Sequence, residues 1–155
     1  MGAIIICKGK LLAIKNAKHP YYYTIGGRVK VGELSEEAVI REAYEETNII
    51  FTVDRLCFVH ENMFNADFLA GGQIVPFHEV GLYYLLKSES LEGLSCVSLG
   101  MDGGEESLHW LLLNQLGGYQ LYPEFFKTEL PLLNIEGRQN VKHFITRNGL
   151  TFIGK

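Results

Sequence analysis

Cysteine is scarce: Cys7, Cys57 and Cys96 are the three in 155 residues, with no CxxC spacing and no run of interleaved Cys and His. That argues against a disulfide framework or a thiolate metal site and predicts buried or free thiols in a reducing compartment. Long apolar runs are missing too, so no segment has membrane-spanning length. Ala3-Ile4-Ile5-Ile6-Cys7 is too short for the core of a secretory leader and has no basic stretch before it. The Met-Gly start does not continue as a myristoylation signal, because Ile6 stands where Ser or Thr is needed. Repeats, low-complexity tracts and linkers are also absent. The expectation is a cytoplasmic protein folded as one domain over residues 1–155, with 47% apolar content to supply its core.

Acidic residues are missing from residues 1–32, which carry Lys8, Lys10, Lys15, Lys18, Arg28 and Lys30. Residues 33–106 then hold 15 acids against Arg41, Arg55 and Lys87, within a net charge of −4. No broad basic surface is implied, so a nucleic-acid partner is not expected. A basic leading segment beside an acidic middle suits a metal site flanked by phosphate-binding groups, for which Arg28 and Lys30 are the candidates. The plainer reading, Lys residues decorating a surface hairpin, competes at each position.

Gly26-Gly27 and Gly32 predict a loop, and Ser35 followed by Glu36-Glu37 predicts a helix start. Leu34 or Ser35 to Thr47 contains strong helix formers and neither Gly nor Pro. At about 100° per residue, Glu42, Glu45 and Glu46 fall within roughly one quadrant. Ile40, Tyr44 and Thr47 fall opposite and are expected to face a core. Arg41 lies four residues before Glu45, within reach of an ion pair. Three carboxylates on one face repel each other unless neutralised. A solvated acidic face is the ordinary explanation, but such a face would intersperse Lys, and this helix has one Arg. Hard divalent cations prefer carboxylate oxygen, and Mg²⁺ pairs a few carboxylates with water and substrate phosphates.

Strands are expected at Gly2–Cys7 and Leu11–Lys15, as a hairpin around Lys8-Gly9-Lys10, and at Tyr21–Ile25. Further strands are expected at Ile50–Glu61, Glu79–Lys87 and Leu108–Leu113, with Val141–Thr146 as the last, turned by Arg147-Asn148-Gly149. Asn62–His78, with Gly71-Gly72 and Pro76, reads as a loop. Pro123–Leu133 reads as a second helix with Phe125, Phe126, Leu130 and Leu133 on one side and its second half interrupted by Pro131. Strands interleaved with two helices predict an α/β fold with a mixed sheet between helices.

Gly27, Glu33, Arg41-Glu42, Glu45-Glu46 and Asn48-Ile49 have the spacing Gly, five residues, Glu, seven residues, Arg-Glu, then Glu-Glu and a closing pair. This resembles the signature of the Nudix hydrolases (MutT-like) at every fixed position except one, where Asn48 replaces Gly. That Gly follows the helix in a left-handed conformation, which Asn tolerates next best. The resemblance implies a Nudix-type α/β/α sandwich and Mg²⁺-dependent (or Mn²⁺-dependent) hydrolysis of a nucleoside diphosphate linked to another group, or of a nucleoside triphosphate. It implies that Glu42, Glu45 and Glu46 hold metal with the Gly27 carbonyl, that Arg41 orients a carboxylate, and that Glu33 supports the loop–helix junction.

The substrate is not legible at this level. Tyr21, Tyr22, Tyr23, Phe64 and Phe68 are able to stack on a base, although each is more often a core or loop-packing residue; Tyr23 is the stacking candidate carried forward. Many Nudix enzymes take a further carboxylate from a loop before an aromatic-bearing strand. Asp102-Gly103-Gly104-Glu105-Glu106, preceding Leu108-His109-Trp110, fits a mobile loop of that kind, with Glu105 or Glu106 as the carboxylate and Glu79 as the competitor. A nucleotide-sensing domain without turnover and a structural calcium-binding or interaction domain are the alternative classes. A small nucleotide-type ligand is the expected partner, with no membrane involved and a homodimer left open.

Overall fold

The computed structural model describes residues 1–66, 74–95, 103–133, 136–137, 140–147 and 149–154. Strand β1 (Gly2–Cys7) turns back into β2 (Lys10–Asn16) through Lys8-Gly9, both with positive φ (47° and 72°), as a two-residue hairpin of this twist requires. Both strands are buried on both faces, which is why they read as continuous apolar runs. Ala3, Ile5, Leu12 and Ile14 join one core cluster, and Ile4, Leu11 and Ala13 join the other.

The remaining elements follow as β3 (Tyr22–Tyr23), α1 (Ser35–Thr47), β4 (Thr52–Ala66), β5 (Val75–Lys87), β6 (Glu106–Leu112), a 3-10 helix (Leu113–Gly118), β7 (Leu121–Tyr122), α2 (Phe126–Glu129) with a 3-10 extension (Leu130–Leu132), β8 (Lys142–Arg147) and β9 (Leu150–Ile153). Among the described residues nine strands form one mixed sheet in the order β7-β3-β2-β1-β5-β4-β8-β9, with β6 also paired to β2. β1 runs parallel to β5, β4 to β8 and β3 to β7, and the other pairings are antiparallel. α1 packs on the Ala3/Ile5 face through Val39 and Ala43. The segment around α2 packs on the Ile4/Leu11 face through Phe125, Phe126, Leu130 and Leu133. The sheet therefore lies between helices, as an α/β/α sandwich. No helix among the described residues is long and apolar enough to cross a membrane.

Four sequence expectations are corrected. Much of Asn62–His78 is strand: β4 continues to Ala66 and β5 begins at Val75, paired through Phe64↔Phe77 and Met63↔His78. Polar residues at the solvated end of a long hairpin masked its alternation; Phe68 and Gly71-Gly72 lie outside the described residues. Val141–Thr146 is not the last strand, because β9 returns antiparallel to β8 after Gly149 (φ 80°). Its Leu150 and Ile153 are 65% and 70% exposed, so neither of these apolar residues marks a buried face. The aromatic strand is reduced to Tyr22–Tyr23. The second helix starts at Phe126 rather than Pro123 and tightens to 3-10 at Pro131, whose missing N–H cannot extend an α-helix.

Candidate active site

The loop before α1 is stitched to the start of β1. Ala3 N–H donates to the Ile25 carbonyl (2.8 Å), Gly27 N–H to the Met1 carbonyl (3.1 Å), and the Met1 nitrogen to the Gly27 carbonyl (2.9 Å). A Cβ on Gly26 would stand 2.3 Å from Met1 O, and one on Gly27 2.4 Å from the Glu42 carboxylate carbon. Both glycines thus permit close approach, the second bringing loop backbone against a helix carboxylate.

Leu34, in an extended conformation, is the helix N-cap; Glu37 accepts its N–H (2.9 Å), while the Ser35 hydroxyl lies 2.7 Å from the Tyr84 hydroxyl. At the other end Asn48 adopts the left-handed conformation expected of it (φ 58°, ψ 24°), its N–H donating to the Tyr44 carbonyl at 2.8 Å. The buried stripe is Ala38, Val39, Ala43 and Thr47, and Tyr44, expected in the core, is 49% exposed. Small side chains face the sheet and let the helix settle close to it. On that wheel Glu46 lies only about 20° from Val39, so the acidic face abuts the buried one instead of opposing it.

Arg41 is the hub. Its guanidinium pairs with both oxygens of Glu33 (2.7 and 3.0 Å), with Glu42 (2.8 Å), with Glu45 (3.3 Å) and with the Arg28 carbonyl (3.2 Å). These bonds, with the Lys30 N–H on Glu33 (2.9 Å), hold the Glu33 carboxyl down at about 2. Glu46 behaves oppositely. Its Oε2 accepts the Gly26 N–H at 3.3 Å, but burial and then the charge of Glu106 push it up to about 8. Glu106, the first residue of β6, accepts the Tyr23 hydroxyl at 2.5 Å; burial and this carboxylate raise the Tyr23 phenol.

A cavity of about 830 Å³ opens beside the glycine loop, lined among others by Tyr23, Gly26, Gly27, Arg28 and Glu79. Around its loop end stand Glu42 against Gly27 and Glu46 against Gly26. Glu45 is exposed and held only through Arg41 among its named contacts. Two expected residues are not brought in. Lys30 is exposed and reaches the site only through its main-chain N–H on Glu33. Glu105 is exposed and uses its carbonyl to accept Ala17 N–H (2.8 Å), since neighbouring strand residues point to opposite faces. The described end of the expected loop, from Gly103, is packed at Gly104. Gly104 is packed so tightly on Asn16 that a Cβ would lie 2.2 Å from its Oδ1, and Glu106 pairs with Asn16 in register. Asp102 lies outside the described residues. Among the described residues no three His, Cys, Asp or Glu side chains form a closed ligand cluster, because these carboxylates are turned to Arg41, the Gly26 N–H and Tyr23. Sequence reasoning missed His60, Asn62, Tyr83 and Thr146 on the cavity wall; the strand alternation through His60 and Asn62 was the available signal.

Residues 1–130 match the family model described as NUDIX domain. The chain belongs to the Nudix family. A MutT-like protein of Streptomyces ambofaciens is 38% identical over 61 residues, a match covering 39% of this chain and 40% of the relative's length. In structure this Nudix chain resembles the mutator MutT protein of Bacillus halodurans (TM-score 0.62, 19% identity, 98% of this chain and 94% of that one). It also resembles an ADP-ribose pyrophosphatase of Streptococcus suis (TM-score 0.61, 13% identity, 92% and 95%). At these identities the likeness is one of fold.

Proposed function

We propose that this protein is a pyrophosphohydrolase that cleaves a phosphoanhydride in a nucleoside diphosphate linked to another group, or in a nucleoside triphosphate, releasing a nucleoside monophosphate. The observation that carries the reading is charge. Glu42 and Glu46 stand against the glycine loop that borders the cavity, Glu106 is beside Glu46, Glu45 is tied to Arg41, Arg41 is spent on Glu33 and Glu42, and burial leaves Glu46 pushed up to about 8. An oxygen-rich, acid-only donor set of this kind fits Mg²⁺ or Mn²⁺, with Glu42, Glu45 and Glu46 as the holding residues and the Gly27 carbonyl beside them. A divalent ion there would screen phosphate charge and lower the pKa of attacking water.

The chain's own groups do the rest. Arg28 offers a cation on the cavity wall, and Arg41 fixes the rotamers of Glu33 and Glu42. Glu106, steered by the Tyr23 hydroxyl, is placed to accept a proton from incoming water. The test is turnover of a nucleotide panel with Mg²⁺, read by phosphate release after phosphatase coupling. We expect an alkaline optimum, because ionised carboxylates and deprotonation of the attacking water are needed together, and complete loss in excess chelator. Full activity in chelator would remove the metal reading. Nucleotide binding without turnover would favour a sensing domain instead.

A further inference from the structure

The Tyr23 hydroxyl on the cavity wall is spent on Glu106. The Tyr83 hydroxyl, on the same wall, has no hydrogen-bond partner among the described residues. Two glycines decide where that ring lies. Gly2 is its partner across the β1–β5 register, and Gly81 precedes it by two residues on β5, on the same face. A Cβ on Gly2 would stand 2.7 Å from the ring carbons Cδ1 and Cε1. One on Gly81 would stand 3.0 Å from Cε2 and 3.3 Å from the hydroxyl oxygen. The ring therefore lies down on the sheet, with its hydroxyl over Gly81 at the cavity wall. Phe125 and Phe126 meet it edge-on, at centroid separations of 6.0 and 5.1 Å, and hold it there.

A hydroxyl fixed in this way, withdrawn from water and unpaired, carries a cost that a ligand removes by supplying the missing partner. Burial, then the charge of Glu79, raise the phenol. It keeps its proton at alkaline pH and works as a donor. The charges around it select the acceptor. Arg28, beside the glycine loop, is the one permanently charged cation among the described lining side chains. His60 has its ring centre 6.4 Å from that of Tyr83 and its Nε2 2.8 Å from Thr146 Oγ1. Burial and then His143 lower it to about 4, so the imidazole is neutral at pH 7. A phosphate beside Tyr83 would meet Glu79 with like charge and no cation to offset it, whereas a carbonyl oxygen or ring nitrogen would not.

We propose that Tyr83 is a specificity-determining contact, its hydroxyl donating to a neutral acceptor on the base or sugar of the substrate while the phosphates lie at the glycine loop. The inference takes its substrate from the hydrolytic reading above, but its test does not need turnover. Tyr83→Phe keeps the ring and its packing and removes the donor. ATP, GTP, CTP and UTP are titrated calorimetrically into both proteins with Ca²⁺ in place of Mg²⁺ to suppress hydrolysis. Imidodiphosphate serves as a probe with phosphates alone. The nucleotide that wild type binds tightest should bind Tyr83→Phe about tenfold more weakly, one lost hydrogen bond, and imidodiphosphate should bind both proteins alike. A loss confined to some bases is expected if the acceptor is on the base, and an equal loss for all four if it is on the ribose they share. With Mg²⁺, KM should rise by the same factor and kcat change little. The Tm of the unliganded protein should hold or rise slightly, since no native hydrogen bond is removed. A Tm lowered by several degrees would make the hydroxyl structural, and an equal loss for imidodiphosphate would move the contact to the phosphates. Either result overturns the proposal, as does nucleotide binding that is absent in wild type or unchanged in the variant. Turnover beside unchanged binding leaves hydrolysis standing without the Tyr83 contact. The expected binding pattern with no turnover of any nucleotide leaves the contact standing without hydrolysis.

Discussion

Glu46 and Tyr23 are the side chains whose surroundings say most about their work. Glu46 is half-buried next to Glu106, and its carboxylate accepts the Gly26 N–H. Glu45 is half exposed and shares Arg41 with two other acids. Glu46→Gln is therefore expected to cost about 10²-fold or more in rate, roughly the 3 kcal/mol of one lost electrostatic contact, and more than Glu45→Gln. Near-normal turnover of Glu46→Gln at subsaturating Mg²⁺ would take the residue out of the machinery. Tyr23 was a candidate for stacking on a base, and its hydroxyl donates to Glu106. Tyr23→Phe keeps the ring and releases the carboxylate. If Tyr23 works through Glu106, kcat falls by about tenfold, one charge-assisted hydrogen bond, with KM little changed. A rise in KM alone would return Tyr23 to the role of a stacking surface.

The loop–helix element shows how local rules were met and where the sequence was read wrongly. Gly27→Ala puts a methyl group into the Glu42 carboxylate, which Arg41 holds at 2.8 Å. The expected cost is about 1–3 kcal/mol of stability, from thermal or denaturant melts, with a fall in turnover of at least tenfold because the hub must rearrange. At the helix end, Asn48→Ala should cost about 1 kcal/mol, since a Cβ-bearing residue without a polar side chain is strained in the left-handed region. Asn48→Gly should be neutral or slightly stabilising in the same melts. The extent of α1, the left-handed Asn48 and the Glu cluster were legible because each is set by spacing within a dozen residues. The face that α1 buries was not: nothing local says that Ala38, Val39 and Ala43, rather than Ile40 and Tyr44, meet the sheet. The same limit explains the missed ends of β4 and β5, whose polar residues alternate over a cavity, and β9, which pairs at an exposed edge. Glu106 rather than Glu105 faces Tyr23 because β6 pairs with β2, a contact some ninety residues apart that no window along the chain contains.

At the scale of the whole molecule, Glu33, Glu42, Glu45, Glu46 and Glu106 group about Arg41 and the glycine loop, while Asp54 and Glu61 pair elsewhere with Lys87 and His78. The metal-free stability should record that grouping as a function of pH. Glu33 is held at about 2, below its ordinary 4.5, so its contribution is present above about pH 4.5 and lost as pH falls through 2. His60 is lowered to about 4, so the native state resists protonation and stability rises as pH climbs from 4 to 6.5. Glu46 is raised to about 8, so the native state holds a proton that the unfolded chain has released; stability is greatest below 4.5 and is lost as pH rises to 8. The opposing slopes of His60 and Glu46 overlap up to about 6.5, and above it Glu46 acts alone among these three. Melts in chelator should therefore show Tm declining between about pH 6.5 and 8, and Glu46→Gln, which has no proton to lose, should flatten that decline. Saturating Mg²⁺ should raise Tm most at the alkaline end, since a cation bound to ionised carboxylates stabilises the form that the empty site disfavours. A wild-type Tm that stays level over that interval in chelator, or a Mg²⁺ effect independent of pH, would mean that Glu46 is neither strained by burial nor part of a cation site.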